Sequence, residues 1–324
     1  MQILINNTQV EAVSGETLLK VARRAGFDIP SLCYSEGVKH RPSCMVCGVK
    51  DCSSGQIIPS CATLVVDGME VDADSDEVKY IRSLSLELLL SDHRADCDAP
   101  CSMVCPQGLD IEQMLDLYDS NKNEEAHALI VTTLIQGCDD CKAPCEKVCR
   151  RKSVDKEVSI REIINKLTDK YGKPAVTDTK KEKSKSDSIL FQSRLGRYTT
   201  HEKEWLKKNT STVSGCLHCA CSERIDCKLR LYATAAGIKR SRYNASSALS
   251  LTQKQHVTGK LWFEPAKCIR CGLCVYNSNN GFTFQNRGFS MQVAIPEENK
   301  ANVNEELSEL CPTGALSNRL SLYN

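Results

Sequence analysis

Two phrases of this chain share one pattern: CDAPCSMVC at 97–105 and CKAPCEKVC at 141–149. Each has three cysteines at the same spacing, an Ala-Pro pair before the middle one and a Val before the last. Cysteine thiolates ligate soft metals and iron–sulfur clusters, and thiols also pair as disulfides. Twenty cysteines in 324 residues extend the question to the whole chain. A disulfide scaffold is one reading, but such scaffolds are short and secreted. Here the N-terminus, MQILINNTQVEAV, alternates apolar and polar residues like a strand and has no basic region leading into an apolar core. No run approaches the length of a membrane span. The expectation is a cytoplasmic chain in a reducing compartment, with thiols kept for metal. A net charge of +1 gives no electrostatic footprint for nucleic acid or an anionic membrane, and neither is expected as a partner.

The first group is Cys33, Cys44, Cys47 and Cys61, in the pattern C-x10-C-x2-C-x13-C. Four thiolates on one long loop and a returning strand suit a [2Fe–2S] cluster. A thioredoxin-like CMVC redox pair is the alternative. That pair needs a helix N-terminus to lower its thiol pKa, whereas Pro42 precedes it and a strand-like GVK follows. The surrounding phrases SGETLLKVARRAGFDIPSLCY, PSCMVC, PSCATLVVDGMEV and LELLLSDHRADC resemble the N-terminal part of the large iron–sulfur subunit of respiratory complex I. The same unit occurs in NAD-linked hydrogenases and formate dehydrogenases. The resemblance runs from residue 1 to residue 97. It implies a β-grasp ferredoxin domain with its [2Fe–2S] cluster on these four cysteines, followed by a [4Fe–4S] cluster held by one histidine and three cysteines. The family's H-x3-C start is present as His93 and Cys97, but the spacing then departs, continuing to Cys101 and Cys105 in steps of four.

That departure leads back to the repeated phrase. CDAPCSMVCPQGLDIEQML, a helical hairpin, then GCDDCKAPCEKVCRR and SIREI resemble the N-terminal helical domain of the glutamate synthase small subunit, over residues 95–170. The resemblance implies two [4Fe–4S] clusters whose ligands are exchanged between two cysteine runs. Cysteines three or four apart cannot reach the four corners of a cubane while remaining helical, and two-cluster ferredoxins send the Cys before a Pro to the other cluster. Cys105 precedes Pro106. The expected pairing is therefore one cluster on His93, Cys97, Cys101 and Cys149, and another on Cys105, Cys138, Cys141 and Cys145. The unswapped alternative keeps residues 93, 97, 101 and 105 together, and 138, 141, 145 and 149 together.

A third group, Cys216, Cys219, Cys221 and Cys227, lies within GCLHCACSERIDC. It suits either a [4Fe–4S] cluster or a structural zinc ion, with His218 a bystander. A fourth, Cys268, Cys271 and Cys274 with Cys311-Pro312 downstream, carries the bacterial-ferredoxin phrases KCIRCGLCV and ELCPTGAL and suits one [4Fe–4S] cluster. The expected cofactors are one [2Fe–2S] and three or four [4Fe–4S] clusters, with zinc the competing occupant of the Cys216 group. Only Cys52 is spare, and it reads as a small buried hydrophobe.

The elements that must position these groups follow from periodicity and punctuation. QILIN and QVEAV read as strands joined at Asn6-Asn7, and TLLKVARRA as a helix stopped by Gly26. Residues 76–92 read as a helix. Asp110 with Gln113, and Ser159 with Glu162, resemble capping boxes for two later helices. GFTFQN and SMQVAI read as strands. The fold class is α+β, in five parts: 1–80, a [2Fe–2S] ferredoxin-like β-grasp domain; 81–172, a helical domain with two [4Fe–4S] clusters; 173–200, a linker; 201–260, a small four-cysteine segment; and 261–324, a ferredoxin-like [4Fe–4S] unit.

No G-x-G-x-x-G follows a strand and no P-loop appears, so no nucleotide site is legible, nor is any catalytic set. The resemblance implies an iron–sulfur electron-transfer subunit of a multi-subunit NAD(P)H-linked flavin oxidoreductase, of electron-bifurcating, hydrogenase or transhydrogenase type. Its partners in a hetero-oligomer would be an NAD(P)H-oxidising flavoprotein and a further redox subunit. Electrons would enter or leave through the [2Fe–2S] domain, cross the helical domain and exit at the C-terminal unit. The alternatives are a self-contained flavin-dependent oxidoreductase and a zinc-bearing assembly scaffold.

Overall fold

The computed structural model describes residues 1–93, 97–134, 137–174, 204, 207, 212–221, 227–238, 243 and 255–318. From residue 175 onward, the expected linker lies outside the described residues. By internal contacts the chain forms two units. The first takes residues 1–93, 227–238 and 255–318 of those described; the second takes 97–134, 137–174 and 212–221. Residues 1–80 and 261–318 thus fall in one unit, and the described residues of the 201–260 segment are divided between the two.

At the start of the first unit, β1 (Gln2–Ile5) and β2 (Thr8–Glu11) form an antiparallel hairpin. Asn6 and Asn7 turn it with φ of 50° and 61°, the left-handed pair that a two-residue hairpin requires. Helix α1 (Leu18–Arg24) buries Leu18, Leu19, Val21 and Ala22, and Gly26 follows it at a φ of 88°. Strands β3 (Gly48–Asp51), β4 (Ile57–Pro59) and β5 (Glu70–Asp72) complete a five-stranded sheet of order β2-β1-β5-β3-β4. Its β1–β5 pair is parallel, as a β-grasp requires. Helix α2 (Asp76–Asp92) begins at Ser75, whose Oγ accepts from the Val78 amide at 3.4 Å. Arg82 ties α2 to the sheet by donating from Nε to the Gly48 carbonyl at 2.9 Å.

The second unit is helical: α3 (Pro100–Val104), α4 (Ile111–Asp119), α5 (Asn123–Thr133), α6 (Pro144–Lys147) and α7 (Ile160–Tyr171). The two copies of the repeated phrase share a short helix at the proline but enter it differently, Ala99 extended and Ala143 left-handed with φ 45°. Pro100 and Pro144 each open a short helix, where the missing amide costs nothing. Cys101 and Cys145 occupy its next position. Met114, Leu115, Ile130, Ile163, Ile164 and Leu167 form the core. Asp110 caps α4 as expected, accepting from the Gln113 amide at 3.2 Å. Ser159 does not cap α7 through its side chain; Glu146 takes the Arg161 amide instead, at 2.9 Å. A carboxylate brought by α6 has replaced the local cap.

The first unit resumes with α8 (Lys228–Ala235), whose first amide donates to the Pro312 carbonyl at 2.9 Å. Strands β6 (Gln255–Thr258), β7 (Leu261–Phe263) and β10 (Leu316–Ser317) form a three-stranded sheet, and β8 (Thr283–Gln285) and β9 (Gln292–Ala294) a hairpin. Helices α9 (Leu273–Asn277) and α10 (Leu307–Leu310) pack beside them. Phe263 and Phe282 meet edge to face at 5.5 Å in the core. Among the described residues no helix is long and apolar enough to cross a membrane.

Candidate functional site

None of the twenty cysteines is in a disulfide. Cys33, Cys44, Cys47 and Cys61 are all buried in the first unit. The loop before β3 that brings them together has no regular structure and is held from outside. Arg23 on α1 donates to the Ile29 carbonyl and to Ser31 Oγ, both at 2.8 Å. Ser60 Oγ donates to the Cys47 carbonyl at 2.7 Å. Sulfur–sulfur hydrogen bonds link Cys33 to Cys44 and to Cys61, and Cys47 to Cys61. Donation from Cys44 and Cys61 holds Cys33 far down, to about 2, and donation from Cys61 brings Cys47 to about 6. The donors Cys44 and Cys61 are pushed correspondingly up. Hydrogen bonds between sulfurs thus favour the thiolate, the form that a cationic core binds, at Cys33 and Cys47.

The C-terminal group lines a narrow void. Cys268, Cys271, Cys274 and Cys311 surround it, with about 350 Å³ of empty space including its mouth. Arg270, with φ 56°, turns the Cys268–Cys271 step so that its amide donates to Cys268 Sγ at 3.3 Å. The Leu316 amide donates to Cys311 Sγ, also at 3.3 Å. Burial pushes Cys268 up to about 12 and raises Cys271 and Cys274 as well. This group adjoins the N-terminal one. Asn277, at the end of α9, accepts from the Lys39 amide at 3.1 Å and donates to the Lys39 carbonyl at 2.8 Å. The charge of Cys33 contributes to the rise at Cys271.

His93 also belongs to the first unit. It is 4% exposed, and burial lowers its pKa to about 4. Its ring is hydrogen-bonded to the main chain of Lys267, the residue before Cys268. A backbone partner on one ring nitrogen fixes the tautomer, as a ligating imidazole needs. The Lys267 ammonium is buried and paired with Glu264 at 2.7 Å; no sequence pattern marks either residue.

The second unit holds the cysteines of the repeated phrase. Cys105, Cys138, Cys141 and Cys145 fall within electrostatic reach of one another. Burial raises Cys138 to about 11, with the charges of Cys141 and Cys105 adding to it. Burial likewise raises Cys145 to about 12, with Cys105 and Cys138 contributing. Cys101 and Cys149 line a void together with Cys216 and Cys219. The Cys221 amide donates to the Cys97 carbonyl at 3.3 Å, and Cys227 lies in the first unit. Cys52 is exposed, unlike the buried hydrophobe expected.

His218 is more than a bystander. It is 2% exposed, with Nδ1 3.7 Å from Glu112 and Nε2 3.5 Å from Asp119. Its amide donates to Cys216 Sγ at 3.3 Å. No spacing rule would pair it with carboxylates about a hundred residues away. Among the described residues, no three His, Cys, Asp or Glu converge closely enough to hold a single metal ion. A cubane offers four separate corners, so its ligands need not converge on one point.

Buried thiols set around loops and voids, with main-chain amides aimed at their sulfurs, suit iron–sulfur clusters by chemistry. Comparison with known proteins agrees for the N-terminal part. Residues 1–76 match the family described as "2Fe-2S iron-sulfur cluster binding domain", and this part of the chain is such a domain. The 75 kDa subunit of the NADH-ubiquinone oxidoreductase of Reclinomonas americana is 30% identical over 124 residues, covering 38% of this chain and 17% of that protein. The mitochondrial 78 kDa subunit of the NADH-ubiquinone oxidoreductase of Candida albicans is also 30% identical over 124 residues, 38% of this chain and 16% of that one. Subunit HndD of the NADP-reducing hydrogenase of Solidesulfovibrio fructosivorans is 32% identical over 165 residues, 46% of this chain and 27% of that one. The chain thus matches only between 16% and 27% of the length of these relatives. A solved structure, titled as an NAD+-reducing [NiFe]-hydrogenase in the H2-reduced state, aligns over 100% of this chain and 89% of its own with a TM-score of 0.52. At 16% identity that likeness is one of fold.

Proposed function

We propose that the chain is an iron–sulfur electron-transfer subunit of a multi-subunit, NAD(P)H-linked flavin oxidoreductase. One observation carries the reading: successive four-cysteine groups in both units, beginning with a [2Fe–2S] domain of the kind found in subunits of NADH-linked complexes. A cluster exchanges single electrons, and the protein sets its potential through ligand type, burial and hydrogen bonds to sulfur. The chain's own residues supply those terms. Amides of Arg270 and Leu316 stabilise negative charge on the C-terminal thiolates. Burial excludes water from the N-terminal quartet.

In this reading Cys33, Cys44, Cys47 and Cys61 hold the [2Fe–2S] cluster, and Cys268, Cys271, Cys274 and Cys311 hold a [4Fe–4S] cluster. Cys105, Cys138, Cys141 and Cys145 hold another. His93 and the remaining cysteines raise the [4Fe–4S] number to three or four. The clamp between Lys39 and Asn277 supports direct passage of electrons between the N-terminal and C-terminal groups, in place of a path that must cross the helical unit first. The partners are a flavoprotein that oxidises NAD(P)H and a further redox subunit, in the cytoplasm. The test is anaerobic stopped-flow reduction of the intact complex from its host. NAD(P)H should bleach the cluster absorbance of this subunit only while the flavoprotein is attached. Clusters that stay oxidised under NAD(P)H in the intact complex, yet bleach with dithionite, would refute the relay.

A further inference from the structure

The repeat-derived cysteines Cys101 and Cys149 meet two cysteines from a segment more than sixty residues further on. Cys101 sits in α3 as the middle cysteine of the first copy, and Cys149 just after α6 as the last cysteine of the second. Between them and Cys216 and Cys219 lies a void of about 340 Å³, mouth included, with Glu112, Arg151 and Ile160 among its walls. The void around Cys268, Cys271, Cys274 and Cys311, the group with ferredoxin phrases, measures about 350 Å³. The two spaces are alike in size and in number of thiols.

The local turns are alike too. In Cys216-Leu217-His218-Cys219 the third residue is left-handed, with φ 46°, and its amide donates to the first sulfur at 3.3 Å. In Cys268-Ile269-Arg270-Cys271 the third residue has φ 56° and makes the same bond at the same length. A positive φ at a non-glycine residue carries strain. Its recurrence at the same place in both turns presents two sulfurs on one side and an amide between them.

The late segment is anchored where the void needs it. Arg151 Nη1 donates to the Gly215 carbonyl at 3.1 Å. Ser214 donates to Asp119 at the end of α4 through both its amide and Oγ, each at 2.7 Å. Ser214 Oγ in turn accepts from the Cys216 amide at 3.0 Å. These contacts fix the 212–221 segment just ahead of Cys216, against α4 and the loop that follows Cys149.

We propose that Cys101, Cys149, Cys216 and Cys219 form one four-thiolate site within the second unit, and that it holds a [4Fe–4S] cluster. The assignment rests on the iron–sulfur reading of the chain and regroups cysteines that the sequence spacing puts in two different sites. It also gives the repeat a role. One copy's middle cysteine and the other's last serve this cluster, while Cys105 and Cys145 serve the neighbouring one.

The test is counting, on the full chain purified anaerobically from its host, with iron, sulfide and zinc measured together. Cys101→Ala, Cys216→Ala and the double variant should each lose the same complement of about four irons, because all three break one cubane. The [2Fe–2S] signal of the first unit reports that each variant is folded. A double variant that loses about eight irons would mean two sites and overturn the assignment. Loss of one zinc ion in place of iron would overturn the cluster. If burial of Cys101 and Cys216 prevents the variants from folding, the half-buried corners Cys149→Ala and Cys219→Ala, with their double, are counted the same way and read by the same two outcomes. A wild-type chain that carries no iron is a different failure, that of the functional reading itself.

Discussion

At the scale of the residue, a cysteine is a ligand only as the thiolate, and burial in apolar surroundings opposes that form. In the N-terminal quartet, hydrogen bonds between sulfurs hold Cys33 and Cys47 down, whereas Cys44 and Cys61 are pushed up and become thiolates only as a cationic core displaces their protons. Cys52, exposed on the same domain, takes no part. Cys47→Ala should abolish the [2Fe–2S] electron paramagnetic resonance signal, and Cys52→Ala should leave it unchanged; loss of signal in both would mean that the quartet is wrongly assigned. A second residue-scale outcome concerns pH. The Arg151 guanidinium, bonded to both oxygens of Asp155, holds that carboxyl down to about 2 from its ordinary value near 4. A depressed acid adds stability above the unfolded pKa and loses it as pH falls from there towards the folded one. Asp155→Asn should therefore destabilise the chain at pH 7 by less than about 1 kcal/mol, since the pair is partly solvated. In urea titrations that difference should close as the pH is lowered from about 4 to about 2.

At the scale of the element, what the sequence made legible was local. Asn6-Asn7, Gly26, the helix over 76–92 and the Asp110 cap all act within a few residues, and the structure keeps each of them. The strands at 283–285 and 292–294 were visible as alternation for the same reason. The Ser159 cap failed because Glu146, distant in sequence, competes for the same amides. One meeting of thiols was hidden in the same way. Spacing groups thiols that are neighbours along the chain, whereas Cys101, Cys149, Cys216 and Cys219 meet through the anchors of Arg151 and Ser214. The contact of α9 with the N-terminal cysteine loop was equally hidden, since it depends on one asparagine side chain reaching across 238 positions. Asn277→Ala removes both bonds to Lys39, worth about 1 kcal/mol each before solvent competition. It should leave the iron content intact and slow electron exchange between the N-terminal and C-terminal clusters, as read by flash reduction. An unchanged rate would mean that the clamp does not set their separation.

At the scale of the whole molecule, the chain combines a match to a [2Fe–2S] domain over residues 1–76 with four-cysteine groups in both of its units. As a conductor between redox partners the protein would carry nearly every thiol as a cluster ligand, so metal content decides between a relay and a zinc scaffold. The most direct measurement is iron, acid-labile sulfide and zinc on the full chain isolated without air, with Mössbauer spectra to separate cluster types. The account predicts between about 14 and 18 irons per chain, for one [2Fe–2S] cluster with three or four [4Fe–4S] clusters, and sulfide in near-equal amount. A chain that carries zinc as its main metal, with little sulfide, would contradict it.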